Sequence, residues 1–534
     1  MTMRLTDEGL ACRAPWEARG VRLPAYDRAA MREKTLQAPV WVHFGAGNIF
    51  RGFIAGLQQR LLDAGEADRG IIAAETFDGE IIDRIYKPFD SLALMVSLKP
   101  DGGTDREVIA SVADGLKASP REAGDWRRLE RVFEAPSLQM VSFTITEKGY
   151  ALRDLQGEYF PAVRADLEEG PEKARHAMAV VTALMHRRYV SGAAPVALVS
   201  MDNCSRNGEK LRNAVLEIAG EWVKAGFADG GFRAWLSDEA KVAFPWTMID
   251  KITPRPAESV TRMLTDEGFE DMAPVQTAKH TYIAPFVNAE VPQYLVVEDW
   301  FPNGRPALEK AGVYMADRDT VNRTERMKVT TCLNPLHTAL AVYGCLLGYT
   351  LIADEMKDPD LKRLVERIGY TEGLPVVTDP GIIRPADFLK EVLEQRLPNP
   401  FMPDTPQRIA CDTSQKVPIR FGETVRSRMK DGTADVLEGI PLVIAAWLRY
   451  LLAVDDEGKP MEVSPDPMKE SLQEALGGVR FGEPESAEGA LEPILSNPVI
   501  FAADLYTTPL AGKIEAAFRG MLVPGGVRKS LQKV

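Results

Sequence analysis

Short apolar runs alternate with amphipathic runs along the first part of the chain. Runs with the length of a buried strand lie at 40–44, 70–77, 138–150 and 194–203, and each is followed by glycine or polar residues. Between the first two, residues 50–65 place Phe50, Ile54, Leu57 and Leu61 on one helical face. This alternation predicts an α/β fold with a Rossmann-type, doubly wound parallel sheet that binds ligands at the carboxyl ends of its strands.

From about residue 310 onward the hydrophobic pattern becomes helical. Apolar or amphipathic helices are predicted at 335–356, 358–368, 386–396, 435–453 and 467–476. The acidic, proline-bearing stretch 454–470 predicts a surface loop. We therefore expect a Rossmann-type domain at 1–310 and a mainly α-helical C-terminal domain at 311–534.

The charge, hydropathy and cysteine spacing of the chain argue against several kinds of partner and site. The 534-residue chain has a formal net charge of −13 at pH 7, so no nucleic-acid partner is expected. No run of about 18 apolar residues and no signal-peptide pattern occurs, which favours a cytoplasmic protein without a membrane partner. Five scattered cysteines without a CxxC pair, and five histidines without an HxxxH pair, predict no metal site.

The first predicted strand runs into the glycine-rich turn GAGNIFRG (45–52). A turn of this kind between a strand and a helix lets the backbone approach a pyrophosphate, and the helix start supplies amide donors. We expect dinucleotide contacts from Gly45, Gly47, Asn48, Ile49 and Arg51. The GxGxxxxG spacing differs from the usual GxGxxG, and a tight turn in any α/β protein would also explain the glycines.

The second predicted strand ends at Glu75, and Asp78 follows closely. In a Rossmann-type fold an acidic residue here accepts hydrogen bonds from the adenosine ribose hydroxyls. Neither Arg nor Lys stands between the two carboxylates, and together they would repel a 2′-phosphate. The sequence therefore favours NAD(H) over NADP(H), with a solvated loop carboxylate as the alternative for each residue.

A second polar group precedes a long apolar helix pattern. Asn334 and Pro335 predict a helix start, with Asn334 as N-cap and Pro335 in the first helical position. His337 then lies in the first turn on the same face, where the helix dipole disfavours the imidazolium. A neutral histidine that donates or accepts a hydrogen bond is expected there.

Lys328 lies just before this helix and after Arg323 and Arg326. Cationic neighbours and burial lower a lysine pKa, and such a lysine can act as a general base towards an alcohol or as a general acid in reverse. Hydride transfer also needs donors for the developing oxyanion, which Asn334 and Asn203, at the end of the fourth predicted strand, can supply. Taken singly, a solvated lysine and two turn or cap asparagines are the simpler interpretations.

These residues lie in seven segments that together resemble the mannitol dehydrogenase family, the polyol-specific long-chain dehydrogenases. The segments are FGAGNIFRG (44–52), SFTITEKGY (142–150), SMDNCSRNG (200–208), FPWTMIDKITP (244–254), VEDWFPNGRP (297–306), MKVTTCLNPLHTALAVYG (327–344) and RIACDTSQKVPIR (408–420). The resemblance implies a dehydrogenase that uses NAD(P) without a catalytic metal. It places the cofactor on the domain at 1–310 and the substrate and catalytic residues chiefly on the domain at 311–534.

The resemblance also implies roles for individual residues. It makes Lys328 the catalytic acid/base, Asn203 and Asn334 the oxyanion donors, His337 a substrate-positioning residue, and Asp250, Arg408 and Lys416 substrate contacts. In the family five residue steps usually separate the lysine from the second asparagine, whereas here there are six. We expect a one-residue bulge before the helix to absorb the difference.

Within the family, residues 328–340 and 278–301 are most similar to the fructuronate reductases, also called mannonate oxidoreductases. This implies NAD(H)-dependent interconversion of D-fructuronate and D-mannonate in hexuronate catabolism. Lys279, His280 and Tyr282 form an extra polar cluster that we expect to help bind a sugar-acid carboxylate, although for Lys279 and His280 a loop with solvated charges would look the same. The alternatives are a mannitol- or arabinitol-type polyol 2-dehydrogenase, a tagaturonate reductase, and a catalytically inactive NAD sensor. A monomer or a small homo-oligomer is expected.

Overall fold

The computed structural model describes residues 3–154 and 156–532. The chain divides into two compact units, Met1–Asn322 and Arg323–Val534. Among the described residues, all strands belong to the first unit, and the second is built from helices. The predicted fold class, a Rossmann-type sheet followed by a mainly helical region, is confirmed. The assignment of cofactor and catalysis to separate domains stays a prediction.

Six parallel strands form the central sheet of the first unit. They are β1 (Trp41–Phe44), β2 (Ile71–Glu75), β3 (Val112–Lys117), β4 (Met140–Phe143), β5 (Val196–Ser200) and β6 (Val242–Ala243). Their spatial order is β3-β2-β1-β4-β5-β6, and every pairing is parallel. The order reverses between β1 and β4, so the carboxyl ends of these two strands flank the crevice where doubly wound sheets bind ligands.

Side chains of the central sheet alternate between two hydrophobic cores. Val42 and Phe44 join one core, whereas Trp41 joins the other. Successive residues of a strand point to opposite faces, and both faces of this sheet are covered, so all four residues of β1 are buried. This explains why the strands appear in the sequence as continuous apolar runs.

Helices connect the strands and cover the sheet. After β1 a π-helical turn, Phe50–Ile54, continues as the helix Ala55–Asp63. The other α-helices of the first unit are Asp7–Ala11, Ala14–Glu17, Arg28–Gln37, Ala123–Glu134, Pro161–Glu169, Ala177–Val190, Asn207–Lys224, Gly230–Ser237 and Glu258–Asp266. A further helix, Arg318–Met327, contains the boundary with the second unit.

Smaller sheets complete the first unit. A four-stranded sheet has the order Val21–Arg22, Thr104–Ile109, Ala93–Leu98, Phe286–Glu290, and a three-stranded sheet has the order Thr247–Asp250, Tyr294–Glu298, Tyr314–Ala316. A two-stranded hairpin pairs Val275–Gln276 with Tyr282–Ile283. These strands were not predicted from the sequence, because most are short and only partly apolar.

In the second unit the helix Gly439–Tyr450 is buried along its whole length and packs against Asn334–Leu347 and Leu510–Gly520. The remaining α-helices are Ile352–Glu355, Pro359–Glu366, Pro385–Glu391, Pro406–Ile409, Thr413–Arg420, Gly422–Lys430, Lys469–Ala475, Glu492–Leu495, Pro498–Phe501 and Gly526–Leu531. The π-helical segments are Lys328–Cys332, Arg367–Gly373 and Val392–Arg396. No helix in the described part of the chain has the length and apolar character needed to span a bilayer.

The start of the buried helix Gly439–Tyr450 is stabilised by a distant carboxylate. Glu372 is fully buried, and its carboxylate accepts hydrogen bonds from the amides of Glu438 (2.8 Å), Gly439 (2.6 Å) and Ile440 (2.9 Å). These amides have no partner within the helix, so an outside carboxylate replaces the missing acceptors and complements the positive end of the helix dipole.

Candidate active site

The glycine-rich turn leaves β1 at the crevice of the central sheet. Gly45 has a φ of +103°, and a Cβ atom built there would lie 2.2 Å from the carbonyl oxygen of Thr144. This position therefore requires glycine. At Gly47, by contrast, a Cβ atom would meet nothing within 4 Å. Gly47 borders open space, which is the arrangement that lets phosphate groups approach the main chain.

A cavity of about 640 Å³ lies against this turn within the first unit. Its lining includes Gly45 and Gly47 after β1, Glu75 and Phe77 at the end of β2, and Thr146 beyond β4. The ends of three adjacent strands thus converge on one space of the size that holds a small ligand. The open backbone at Gly47 and the acidic residue after β2 fit the diphosphate and ribose of a dinucleotide.

Glu75 is held by three main-chain amides. Its carboxylate accepts hydrogen bonds from the amides of Ala46 (2.8 Å), Phe77 (2.7 Å) and Asp78 (3.0 Å). Burial raises the pKa of Glu75, and the three amides oppose that shift. Asp78 is also buried and accepts a hydrogen bond from the hydroxyl of Thr277 at 2.6 Å. Both carboxylates fix the turn after β2, and their contact with a ribose stays a prediction.

Arg51 is buried inside the first unit. Its guanidinium donates to the carbonyl oxygen of Ala284 and to Oδ1 of Asn48, both at 2.8 Å. The side-chain amide of Asn48 donates in turn to the carbonyl oxygen of Pro254 at 3.2 Å. These bonds anchor the start of the helix that follows the turn. Direct cofactor contacts by Arg51, Asn48 and Ile49 stay predictions.

Lys279 and His280 lie in the loop of the hairpin that joins Val275–Gln276 to Tyr282–Ile283. Nζ of Lys279 is 4.6 Å from the centre of the Phe77 ring and donates to the carbonyl oxygen of Phe77. Phe77 lines the cavity beside the glycine turn, so the structure places Lys279 at the edge of that cavity. This position favours a cofactor contact for Lys279, and carboxylate binding by the pair stays a prediction.

Asn203 follows β5 in an exposed turn that its neighbour Asp202 fixes. The carboxylate of Asp202 accepts hydrogen bonds from the amides of Ile145 and Thr146, both at 2.9 Å, and from the hydroxyl of Tyr150 at 2.6 Å. These bonds join the ends of β4 and β5 and set the backbone that carries Asn203. Sequence reasoning missed Asp202, although an acidic residue directly after a buried strand is a recognisable signal.

Two further polar side chains of the first unit are buried, Asp250 and His43. Asp250 lies at the end of a strand of the three-stranded sheet.

His43 in β1 stacks on Phe50 with ring centres 4.2 Å apart, and its nitrogens lie 2.6 Å from the Ser142 hydroxyl and 2.8 Å from the Thr144 hydroxyl. Burial lowers its pKa to about 3. His43 is therefore a packed core histidine.

In the second unit Lys328 begins the π-helical turn Lys328–Cys332. The amide of Leu333 donates to the carbonyl oxygen of Lys328 at 3.1 Å, a bond that spans five residues. A π turn holds one residue more than an α-helical turn, so the predicted one-residue bulge before Asn334 is present. Lys328 itself is only 2% exposed.

The helix after Lys328 starts differently from the prediction. Leu333, not Asn334, occupies the N-cap position, and Asn334 and Pro335 are the first two residues of Asn334–Leu347. The π turn brings the chain into the helix one residue early, so the N-cap assignment of Asn334 is wrong. Among the described residues the side-chain amide of Asn334 has no hydrogen-bond partner, and it is therefore free to meet a ligand.

His337 lies in the first turn of this helix, with Nε2 3.8 Å from Oδ2 of Asp404. Burial lowers the pKa of His337 to about 4, Asp404 opposes the shift, and Arg420, Arg396 and Arg408 add to it. Burial therefore favours the neutral imidazole that the sequence predicts.

Two predicted substrate contacts, Arg408 and Lys416, lie in the same unit. Arg408 forms an ion pair with Asp404, and Asp404 therefore links Arg408 to His337. Lys416 donates to the carbonyl oxygens of Ile409, at 3.0 Å, and Cys411. Burial lowers the pKa of Lys416. Sequence reasoning missed Asp404, because no motif marks it and only the folded chain brings it to His337.

Arg420 is a second residue that sequence reasoning missed. Its Nη1 donates to Oγ1 of Thr338 at 2.7 Å and to the carbonyl oxygen of Asn334 at 3.4 Å. Arg420 therefore touches the helical turn that carries Asn334 and His337. The spacing of four residues from Lys416 on one helix is the signal that identifies it.

Both units of the chain are similar to known proteins. The chain matches the mannitol dehydrogenase Rossmann domain at residues 40–310 and the mannitol dehydrogenase C-terminal domain at residues 320–521. It is 52% identical to a D-mannonate oxidoreductase of Thermotoga maritima, over 100% of this chain and 99% of that protein. It is 31% identical to a mannitol 2-dehydrogenase of Cereibacter sphaeroides, over 94% of this chain and 97% of that protein.

Two solved structures are similar over nearly the whole chain. A substrate-free D-sorbitol dehydrogenase has a TM-score of 0.79 at 27% identity and covers 96% of this chain and 97% of its own. The mannitol 2-dehydrogenase of Pseudomonas fluorescens, solved as a ternary complex with NAD and D-mannitol, has a TM-score of 0.70 at 27% identity and covers 99% of both chains.

Proposed function

Because the chain belongs to the mannitol dehydrogenase family, we propose that it is an NAD(H)-dependent oxidoreductase that interconverts D-fructuronate and D-mannonate. The observation that carries this proposal is the 52% identity, over essentially both full lengths, to the D-mannonate oxidoreductase of Thermotoga maritima. The excess of cations around His337 supports it, because an anionic substrate needs such partners.

The cavity beside the glycine turn fits NAD(H), and Gly45, Gly47 and Glu75 are the residues proposed to hold it. When bound, the nicotinamide supplies or accepts the hydride. Lys279, at the edge of the same cavity, is a candidate contact on the adenosine side.

Lys328 is assigned the proton transfer. In the reductive direction its ammonium donates a proton to the substrate oxygen as the carbonyl becomes a hydroxyl, and in the oxidative direction the amine accepts that proton. The burial of Lys328 supports this role, because bulk water then competes little for the proton. The π turn at Lys328–Cys332 sets the spacing between the lysine and Asn334.

The remaining residues bind and orient the substrate. Asn334 donates from its unpartnered amide to the developing oxyanion, and Asn203 is assigned as the second donor. His337 bonds a substrate hydroxyl as a neutral imidazole that lies beside Asp404. Substrate contacts are also proposed for Asp250, Arg408 and Lys416.

Initial rates of NADH oxidation with D-fructuronate, D-tagaturonate, D-fructose and D-xylulose test the proposal. We expect D-fructuronate to give the highest kcat/KM by at least about tenfold, since a site built for a charged group strongly rejects an analogue that lacks it. A higher kcat/KM for D-fructose would favour a polyol 2-dehydrogenase, and a higher value for D-tagaturonate a tagaturonate reductase. NADPH in place of NADH is the matched control for cofactor choice.

We further propose a cytoplasmic location and a monomer or small homo-oligomer. All five cysteines are free thiols, which fits a reducing compartment. Light scattering on the purified protein measures the oligomeric state directly, and assemblies larger than a tetramer would contradict this part of the proposal.

A further inference from the structure

Arg420 is a largely buried cation. Among the described residues, only one of its three guanidinium nitrogens has a hydrogen-bond partner. Nη1 bonds the hydroxyl of Thr338 and the carbonyl oxygen of Asn334, and both acceptors are neutral. Within residues 3–154 and 156–532, Nε and Nη2 have no hydrogen-bond partner, and no carboxylate pairs with this guanidinium. Both nitrogens remain accessible to solvent.

Two other buried arginines, Arg449 and Arg188, are bonded differently. Arg449 donates from all three nitrogens, to the carbonyl oxygens of Met521, Val454 and Asp455. Arg188 likewise uses Nε, Nη1 and Nη2, on five carbonyl oxygens. These two have the pattern of structural arginines that tie loops together, whereas Arg420 keeps one edge of its guanidinium unused.

The surroundings of Arg420 are positively charged. Lys416 lies one turn earlier on the same helix, and Arg396, Arg408 and Arg420 all act on His337 as cations. Asp404 is the acidic group that opposes them at His337, and it is already paired with Arg408. Burial lowers the pKa of Arg420 to about 10, with no contribution from an acidic group. A largely buried cation without a counter-charge is costly, so an anion at its two open nitrogens would lower that cost.

We propose that Arg420 binds the carboxylate of the sugar-acid substrate through Nε and Nη2 and thereby sets the preference for a sugar acid over a neutral ketose. The inference rests on the proposed function and assigns its specificity to one residue. Thr338 and the Asn334 carbonyl hold Nη1, which orients the Nε–Nη2 edge. That edge presents two parallel N–H donors, the geometry that matches a carboxylate.

The test compares kcat/KM for D-fructuronate with kcat/KM for D-fructose in wild type, Arg420→Gln, Arg420→Lys and Thr338→Val. Arg420→Gln is expected to lower the ratio of the two values by about 10- to 100-fold, the range for loss of a charge-assisted bidentate contact. Arg420→Lys keeps the positive charge but loses the two parallel N–H donors, and should lower the ratio by a smaller factor. Thr338→Val removes the 2.7 Å bond that orients the guanidinium but keeps the cation, and should lower the ratio by less than Arg420→Gln does.

An equal loss on both substrates in Arg420→Gln would overturn the inference, because Arg420 would then only hold two helices together. If Arg420→Gln does not fold, an unchanged ratio in Arg420→Lys would refute the assignment. A wild-type enzyme that reduces D-fructose but not D-fructuronate would overturn the proposed function as well, whereas wild-type turnover of D-fructuronate with an unchanged ratio in the variants overturns this inference alone.

Discussion

Glu355 in the second unit is a buried carboxyl group for which we predict a large, pH-dependent effect on stability. It ends the short helix Ile352–Glu355, is fully buried, and neither of its carboxyl oxygens has a hydrogen-bond partner among the described residues. It packs against Gly344, where an added Cβ atom would lie 2.2 Å from its Oε1. Burial raises the pKa of Glu355 to about 9, and the charge of Asp358 adds to the shift.

The direction in which pH changes the stability follows from the difference in proton binding between the unfolded and the folded state. The unfolded chain loses this proton near the ordinary value of 4.5, whereas the folded protein keeps it up to about 9. Between these values the unfolded state binds fewer protons than the native state, so stability falls as pH rises, by about 1.4 kcal/mol per pH unit. Glu355→Gln has nearly the same shape but cannot ionise. Its advantage over wild type should therefore be about 1 kcal/mol at pH 5.5 and about 4 kcal/mol at pH 7.5, as an upper bound.

Thermal unfolding of both proteins at pH 5.5 and 7.5 measures this difference. For a unit of about 200 residues, each kcal/mol shifts Tm by about 2–4 °C, so the gap in Tm between variant and wild type should widen by about 6–12 °C at the higher pH. Glu366→Gln, at a side chain that is 44% exposed, is the matched control and should shift Tm equally at both pH values. A gap that does not widen for Glu355→Gln would refute the argument.

Three further predictions concern the glycine turn, the helix cap and the histidine. Gly47→Ala should fold normally but bind NADH at least about tenfold more weakly in a fluorescence titration, because the added Cβ enters open space in the cavity. Gly45→Ala, by contrast, should lower the stability of the fold. Equal NADH affinity in Gly47→Ala and wild type would contradict the first expectation. Glu372→Gln should lower the free energy of unfolding by about 1–3 kcal/mol, because three amides lose a charged acceptor, and an unchanged denaturation midpoint would argue against the cap. Since the pKa of His337 is lowered to about 4, wild type should lose about 2–3 kcal/mol more stability than His337→Gln on acidification from pH 6.5 to 4.5, and parallel pH profiles would exclude this.

The central sheet was predictable where its strands are buried on both faces. Such strands are continuous apolar runs, and β1, β2, β4 and β5 all lie inside predicted runs. The strand β3 was missed because Asp114 and Gly115 interrupt its apolar pattern, and β6 because it has only two residues. In the second unit the predicted helix 335–356 is interrupted at Gly348, which adopts the left-handed conformation and ends the first helix.

Features of the candidate site that depend on residues close together in the sequence could be predicted. The extra residue between Lys328 and Asn334 implied a bulge, and the chain has a π turn there. The pairing of His337 with Asp404 and the contact of Arg420 with Thr338 join segments distant along the chain, so neither had a local signal. The side-chain bonds of Glu75 and Arg51 to backbone groups likewise depend on the fold and not on the motif.

Proton transfer by Lys328 is the central claim, and the turnover of Lys328→Ala with D-fructuronate and NADH tests it most directly. We predict that kcat falls by about 10²–10⁴-fold while the Kd for NADH changes by less than about threefold, and that an added primary amine restores part of the rate. A variant that keeps most of the wild-type kcat, with no response to the amine, would contradict the assignment of Lys328.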